Sequence, residues 1–230
     1  QGICEIVERH VCSLVSRHGL RTPRIDPDTA TDEAVVEMVK KYRGAGIVFH
    51  LSDFTLEMGI PTVGMLAYDP TTFPENSEIV WTAGTTPDPQ KALSRAMTEV
   101  AQLAGDFNSG SNFVASGLPK FKSIKEAEYV LDSPETVAIQ TLPDISHDNI
   151  RVEVENCIAA LAERGYDVYV VDTKHPELDI PAFYTIIPGA HFRERSEGTS
   201  VGMFSAKLIS EKYDPAAAFL ELEKIENLLP

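Results

Sequence analysis

Carboxylates recur at helical steps in two separate places in this sequence, each time beside an apolar stripe. Near the start, Glu5, Glu8 and Arg9 form an E-x-x-E-R run, and Cys12 and Ser16 continue the same side of the helix at steps of three and four. Near the middle, Arg95, Glu99, Gln102 and Asp106 share one face. Oxygen ligands drawn from both places suit a hard divalent cation, which keeps some of its waters and bridges phosphates. The same spacing also describes two solvated, salt-bridged faces, since Glu5 and Arg9 are an ordinary i,i+4 pair, and spacing alone leaves both readings open.

The elements that must position these groups can be read from periodicity. Ile3, Val7, Val11, Leu14 and Val15 predict an amphipathic helix from residue 1 to about 18, closed by Gly19, with a Pro-rich turn through Pro23 and Pro27. A second helix runs from an Asp32 cap to about Arg43. Strands are expected over Gly46–Ser52, Thr62–Tyr68 and Glu78–Thr82. Asp88 and Pro89 then open a long helix reaching about Phe107, with Leu93, Ala96, Met97, Val100, Ala101 and Ala104 as its buried stripe.

Residues 108–147 carry no regular pattern. A helix from Asp148 to Arg164 is expected to bury Ile150, Val154, Cys157, Ile158 and Leu161. Strands over Tyr166–Asp172 and Pro181–Ile187 and a terminal helix over Pro215–Leu229 complete the reading. Strands and helices mix without a strict βαβ rhythm, which predicts an α/β or α+β layered domain of mixed sheets packed with long helices.

Composition narrows the function classes. The 230 residues carry a formal charge of −15 and no basic cluster, which argues against nucleic acid as a partner. No run of about 18 apolar residues suggests a membrane span. Cys4, Cys12 and Cys157 lie far apart and outside any C-x-x-C pair, so the expectation is buried thiols, a reducing cytoplasm and no zinc knuckle. A Walker loop, a dinucleotide fingerprint, a zincin motif and a nucleophile elbow are absent from the sequence. His50, Asp53, His147 and His191 are the other polar candidates near strand ends or turns, structural by default, with His191 placed where it could line a cleft.

Three stretches in order resemble the YcaO family. Glu5-Ile6-Val7-Glu8-Arg9 resembles the end of its S-x-x-x-E-x-x-E-R motif. The run Ala92-Leu93-Ser94-Arg95-Ala96-Met97-Thr98-Glu99-Val100-Ala101-Gln102 resembles its A-L-x-R-A-L-T-E-x-x-Q helix. Gly165 to Asp172, Ile180-Pro181 and Ile187-Pro188-Gly189 resemble its C-terminal strand pair. Gln1 stands where that motif has Ser, and the P-x-P-x-P tail of azoline-forming members is not present.

The resemblance implies a YcaO-like domain over residues 1–230, the later portion of a longer chain, with ATP and Mg²⁺ as cofactors. It implies Glu5, Glu8 and Glu99 as metal ligands, and Arg9 and Gln102 as ATP or phosphate contacts. The activity implied is phosphorylation of a peptide backbone amide, leading to a thioamide or an azoline. A peptide or protein substrate and a partner protein that delivers substrate or sulfur go with it, and a homodimer is compatible. A non-catalytic accessory relative is the alternative that Gln1 permits.

Overall fold

The computed structural model describes residues 1–56, 58–103, 121–177 and 180–191. Helix α1 spans Gly2–His18 and ends where Gly19 turns left-handed at φ 58°, its N–H closing on the Val15 carbonyl. Ile3, Val7, Val11, Leu14 and Val15 are all buried, as the stripe predicts. Strand β1, Arg24–Asp26, lies in the segment read as a Pro-rich turn. It is too short, and too hemmed by Pro23 and Pro27, to carry an alternating pattern. Asp32 caps α2, Glu33–Gly44, by accepting from the Ala34 and Val35 amides.

Strands β2 (Val48–Asp53), β3 (Thr62–Tyr68) and β4 (Val80–Thr85) follow. The first and third start two residues later than expected, because Gly46-Ile47 and Glu78-Ile79 serve as approach to the strands, and β4 continues to Thr85 where its Thr-Ala-Gly-Thr run hid the strand. Helix α3, Pro89–Leu103, opens with Asp88 accepting from the Gln90 and Lys91 amides. Its expected extension to Phe107 lies outside the described residues. Ala101 is exposed on α3 and not part of its buried stripe.

Within the stretch left without pattern are a one-turn helix α4, Glu128–Leu131, and strand β5, Thr136–Ala138. Helix α5, Ile150–Ala162, starts two residues after the expected Asp148 and is capped by Asn149, which accepts from the Arg151 amide. Only Cys157 and Leu161 of its predicted stripe are buried; Ile150, Val154 and Ile158 face outward. Strands β6 (Tyr169–Asp172) and β7 (Phe183–Ile186) are shorter than read and pair with each other. The expected helix at 215–229 lies outside the described residues.

The main sheet has the order β4-β3-β2-β1-β5, antiparallel except for the parallel β1–β5 pair, while β6 and β7 form a separate two-stranded sheet. Side chains alternate across β3. Val63, Met65 and Ala67 join Val35, Val39, Leu93, Ala96 and Met97 on the face covered by α2 and α3. Leu66, with Trp81 and Ala83 of β4, joins the core beneath α1 and α5. The sheet is thus sandwiched, and β3 is buried on both faces. This is the mixed α+β layered fold that the periodicities predict.

Gly84 decides how closely α3 approaches. A Cβ at that position would stand 2.6 Å from the Ala96 amide nitrogen and 2.8 Å from the Arg95 Cβ, so only hydrogen fits between β4 and the helix. Beside it the Thr82 hydroxyl donates to the Ala96 carbonyl at 2.9 Å, and the Tyr42 hydroxyl donates to the Met97 carbonyl at 2.7 Å, joining α2 to α3. Among the described residues no helix is long and apolar enough to cross a membrane.

Candidate nucleotide and metal site

Helices α1 and α3 pack against opposite faces of the sheet, yet both touch β4, the strand at its end among the described residues. Their acidic faces therefore meet around the edge of that strand near Thr85. Glu8 of α1 lies near the Thr85 backbone N–H, whose dipole favours its ionised form. Arg95 of α3 reaches the other way, its Nη2 3.2 Å from Glu5 Oε1 and its Nη1 2.9 Å from Gln1 Oε1. Gln1 Nε2 donates to the same Glu5 oxygen at 2.7 Å, and Arg9 Nη2 stands 3.6 Å from Glu5 Oε2.

The electrostatics show how crowded these acids are. Burial raises the Glu8 carboxyl to about 8, helped by the charges of Glu5 and then Glu99, against the opposing pull of Arg95 and the Thr85 amide. Glu99 is also raised, by burial first and by Glu5 second, while Arg95 and Arg9 pull it down. Cys12, buried beneath them, is pushed well above the ordinary thiol value by burial and then by Glu8 and Glu99. Such a thiol is a packing residue and not a nucleophile.

The structure thus brings Glu5, Glu8, Arg9 and Glu99 into one electrostatic cluster, and leaves Gln102 exposed on the same helix, three residues after Glu99. The other histidine and aspartate candidates are structural. The His50 ring meets the Ser133 hydroxyl at 3.2 Å; Asp53 accepts from the Thr55 amide at 2.8 Å; His147 Nδ1 accepts from the Asn149 amide at 2.9 Å, at the start of α5. His191, expected beside a cleft, is instead buried among the described residues. It is 2% exposed and stacks on the fully buried His10 with ring centroids 5.4 Å apart, because its backbone N–H donates to His10 Nδ1 at 3.0 Å. Sequence reasoning placed Arg95 only as a member of an acidic face. Its position four residues before Glu99 is the signal that it shares the site.

A sequence profile of the YcaO family, described as YcaO cyclodehydratase, ATP- and Mg²⁺-binding, matches residues 1–191. The chain belongs to the YcaO family. It is 27% identical over 199 residues to an uncharacterised protein of Methanothermobacter thermautotrophicus, covering 82% of this chain and 51% of that one. A protein encoded in the tfuA 3′ region of Rhizobium leguminosarum bv. trifolii is 25% identical over 226 residues, covering 90% of this chain and 53% of that one. This YcaO chain spans about half the length of the curated relatives it matches.

Among solved structures it resembles YcaO from Methanopyrus kandleri bound with AMPPCP and Mg²⁺, at 25% identity and TM-score 0.67 over 86% of this chain and 54% of that one. The heterocyclase TruD shares the fold at 21% identity and TM-score 0.71, over 87% of this chain and 28% of that one.

The donor set fits the ATP and Mg²⁺ of the family description in chemistry, though not as a ready-made cage. Among the described residues no three His, Cys, Asp or Glu side chains converge closely enough to enclose an ion. Mg²⁺ in nucleotide sites takes one or two carboxylates and completes its shell with phosphates and water, so such a cage is not required. What the site offers is three carboxylates whose mutual repulsion a cation would relieve.

Proposed function

We propose that the intact protein uses Mg²⁺ and ATP to activate a backbone amide of a peptide or protein, leading to a thioamide or an azoline. A partner protein delivers the substrate or the sulfur. The observation that carries this reading is the meeting of Glu5 and Glu8 from one helix with Glu99 from another around the end of β4, at residues matching two motifs of the family. The Methanopyrus kandleri relative bound with AMPPCP and Mg²⁺ supports the choice of nucleotide and metal.

In this reading Glu5, Glu8 and Glu99 hold the metal, and Arg9 and Gln102 contact the phosphates. When bound, ATP supplies the phosphoryl group that converts an amide oxygen into a leaving group; positioning and charge neutralisation account for most of such catalysis. The protein's own part is to keep two acidic helices in register across a sheet edge. Glu8 gives up its proton as positive charge arrives, and Arg9, on the exposed side of Glu5, offers a guanidinium to a phosphate. Gln102 offers an uncharged amide from the same face as Glu99.

Calorimetry of ATP with Mg²⁺ on the intact protein, beside its Glu8→Ala and Glu99→Ala variants, tests this. Saturable, Mg²⁺-dependent binding that both variants lose supports one shared site. No binding by the intact protein would overturn the enzyme reading in favour of an accessory relative.

A further inference from the structure

Arg95 makes two contacts that the packing of α3 does not require. Its Nη1 lies 2.9 Å from Gln1 Oε1 and its Nη2 3.2 Å from Glu5 Oε1, while Gln1 Nε2 closes the triangle onto the same Glu5 oxygen at 2.7 Å. The side chain reaches from the helix on one face of the sheet to the helix on the other. It can do so because glycine at position 84 lets the α3 backbone rest on β4, with the Arg95 Cβ itself 2.8 Å from where a Cβ of residue 84 would stand.

Stability does not account for the arrangement. The side chains of Arg95 and Glu5 are 40% and 35% exposed, and water screens pairs so placed until they contribute little to stability. Geometry accounts for it better. A planar guanidinium spans two separate acceptors in fixed directions, which an ammonium cannot do. With Gln1 and Arg95 both on Oε1, the carboxylate of Glu5 is held by one oxygen, and among the described residues Oε2 has Arg9 beside it at the longer distance of 3.6 Å. Hydrogen-bonded carboxylates of this kind are how metal sites fix their ligands, and losing the outer partner costs typically about 10–100-fold in metal affinity.

We infer that Arg95, with Gln1, is a positioning residue that clamps Glu5 through Oε1 and presents Oε2 to the metal, acting through Glu5 and not on the nucleotide. Gln1, which stands where the family motif has Ser, is long enough to serve as the second arm of this clamp. The inference rests on the Mg²⁺-ATP reading above.

The test titrates Mg²⁺ at saturating ATP, by calorimetry on the intact protein, for wild type, Arg95→Ala, Arg95→Lys, Glu5→Gln and the Arg95→Ala/Glu5→Gln double variant. Binding of ATP without Mg²⁺ is measured alongside, and circular dichroism checks the fold. Arg95→Ala is expected to raise the Mg²⁺ half-saturation point about tenfold or more, with Arg95→Lys between it and wild type and metal-free ATP binding unmoved. In the Glu5→Gln background, Arg95→Ala is expected to add nothing. Unchanged or tighter Mg²⁺ binding by Arg95→Ala would overturn the clamp, as would a loss that persists in full without Glu5, which would make Arg95 a direct ligand contact. Wild type that fails to bind Mg²⁺-ATP at all would instead remove the functional reading, and the clamp with it.

Discussion

Glu8 and Glu99 feel each other's charge from helices on opposite faces of one sheet, and burial first, then Glu5 and then Glu99, raises the Glu8 carboxyl to about 8. The chain places these acids together in spite of their charge. Such an arrangement is costly for the protein alone and becomes favourable when a cation joins it.

Cation binding should therefore release protons. Below about pH 8, Glu8 must lose its proton to accept Mg²⁺, and burial and Glu5 shift Glu99 in the same upward direction. Mg²⁺-ATP affinity is expected to climb from pH 6 to about pH 8 and then level. Calorimetry in two buffers of different ionisation enthalpy reads the released protons directly; a binding heat independent of buffer at pH 7 would contradict this.

Glu8→Gln is expected to stabilise the cation-free protein at alkaline pH. The folded carboxyl titrates near 8 against an ordinary value of 4.5, so the fold holds the proton more tightly than the unfolded chain does. Stability is thus lost as pH rises from about 4.5 to 8. An amide of the same shape removes that loss, so thermal melts at pH 8.5 should show a gain of at least about 1 kcal/mol, roughly one pKa unit's worth. At pH 4, where both side chains are neutral, the two proteins should melt alike. A destabilised variant at pH 8.5 would count against the repulsion described here.

His10 runs the opposite way. Its Nδ1 accepts from the His191 amide and its Nε2 meets the Tyr166 hydroxyl at 3.2 Å, and burial, then His191, lowers the ring from 6.5 to about 3. The neutral ring is the one that fits. Stability from His10 is complete above about pH 6.5 and falls as pH drops toward 3. Replacing it with Gln should flatten the acid limb of a stability-versus-pH curve measured by urea unfolding, at some cost at neutral pH. An unchanged acid limb would refute the assignment.

Gly84→Ala should damage fold and site together. The added methyl would press on backbone atoms of Ala92 and Ala96, which cannot swing aside as a side chain can. Overpacking of this kind costs about 1–3 kcal/mol. Because α3 would move away from β4 with Arg95 and Glu99 on it, Mg²⁺-ATP binding should weaken by more than the stability loss explains. Chemical denaturation and calorimetry on the same preparation separate the two effects, and normal binding by a merely less stable variant would show that α3 has more freedom than its packing implies.

Much of this protein was legible in its sequence. Apolar steps of three and four marked α1 and α3, Asp32 and Asp88 marked helix starts, and Glu5, Glu8 and Glu99 stood out as acids beside apolar stripes. These are local properties, fixed by rotation per residue and by the need to satisfy free amides at a helix start. Strands β1 and β5 left no comparable signal, because three residues cannot display a period of two.

Tertiary structure alone decided three further matters. Ile150, Val154 and Ile158 repeat on α5 as a core stripe would, yet face outward among the described residues, since periodicity says which residues share a face and not what that face meets. His191 stacks on His10 across the chain, a pairing without any sequence pattern. Arg95 reaches Glu5 and Gln1, and Glu8 reaches Thr85, only because two helices on opposite faces of a sheet converge at the end of β4. The residue types were local information; their meeting depended on long-range packing, which sets distances between segments that the chain itself keeps far apart.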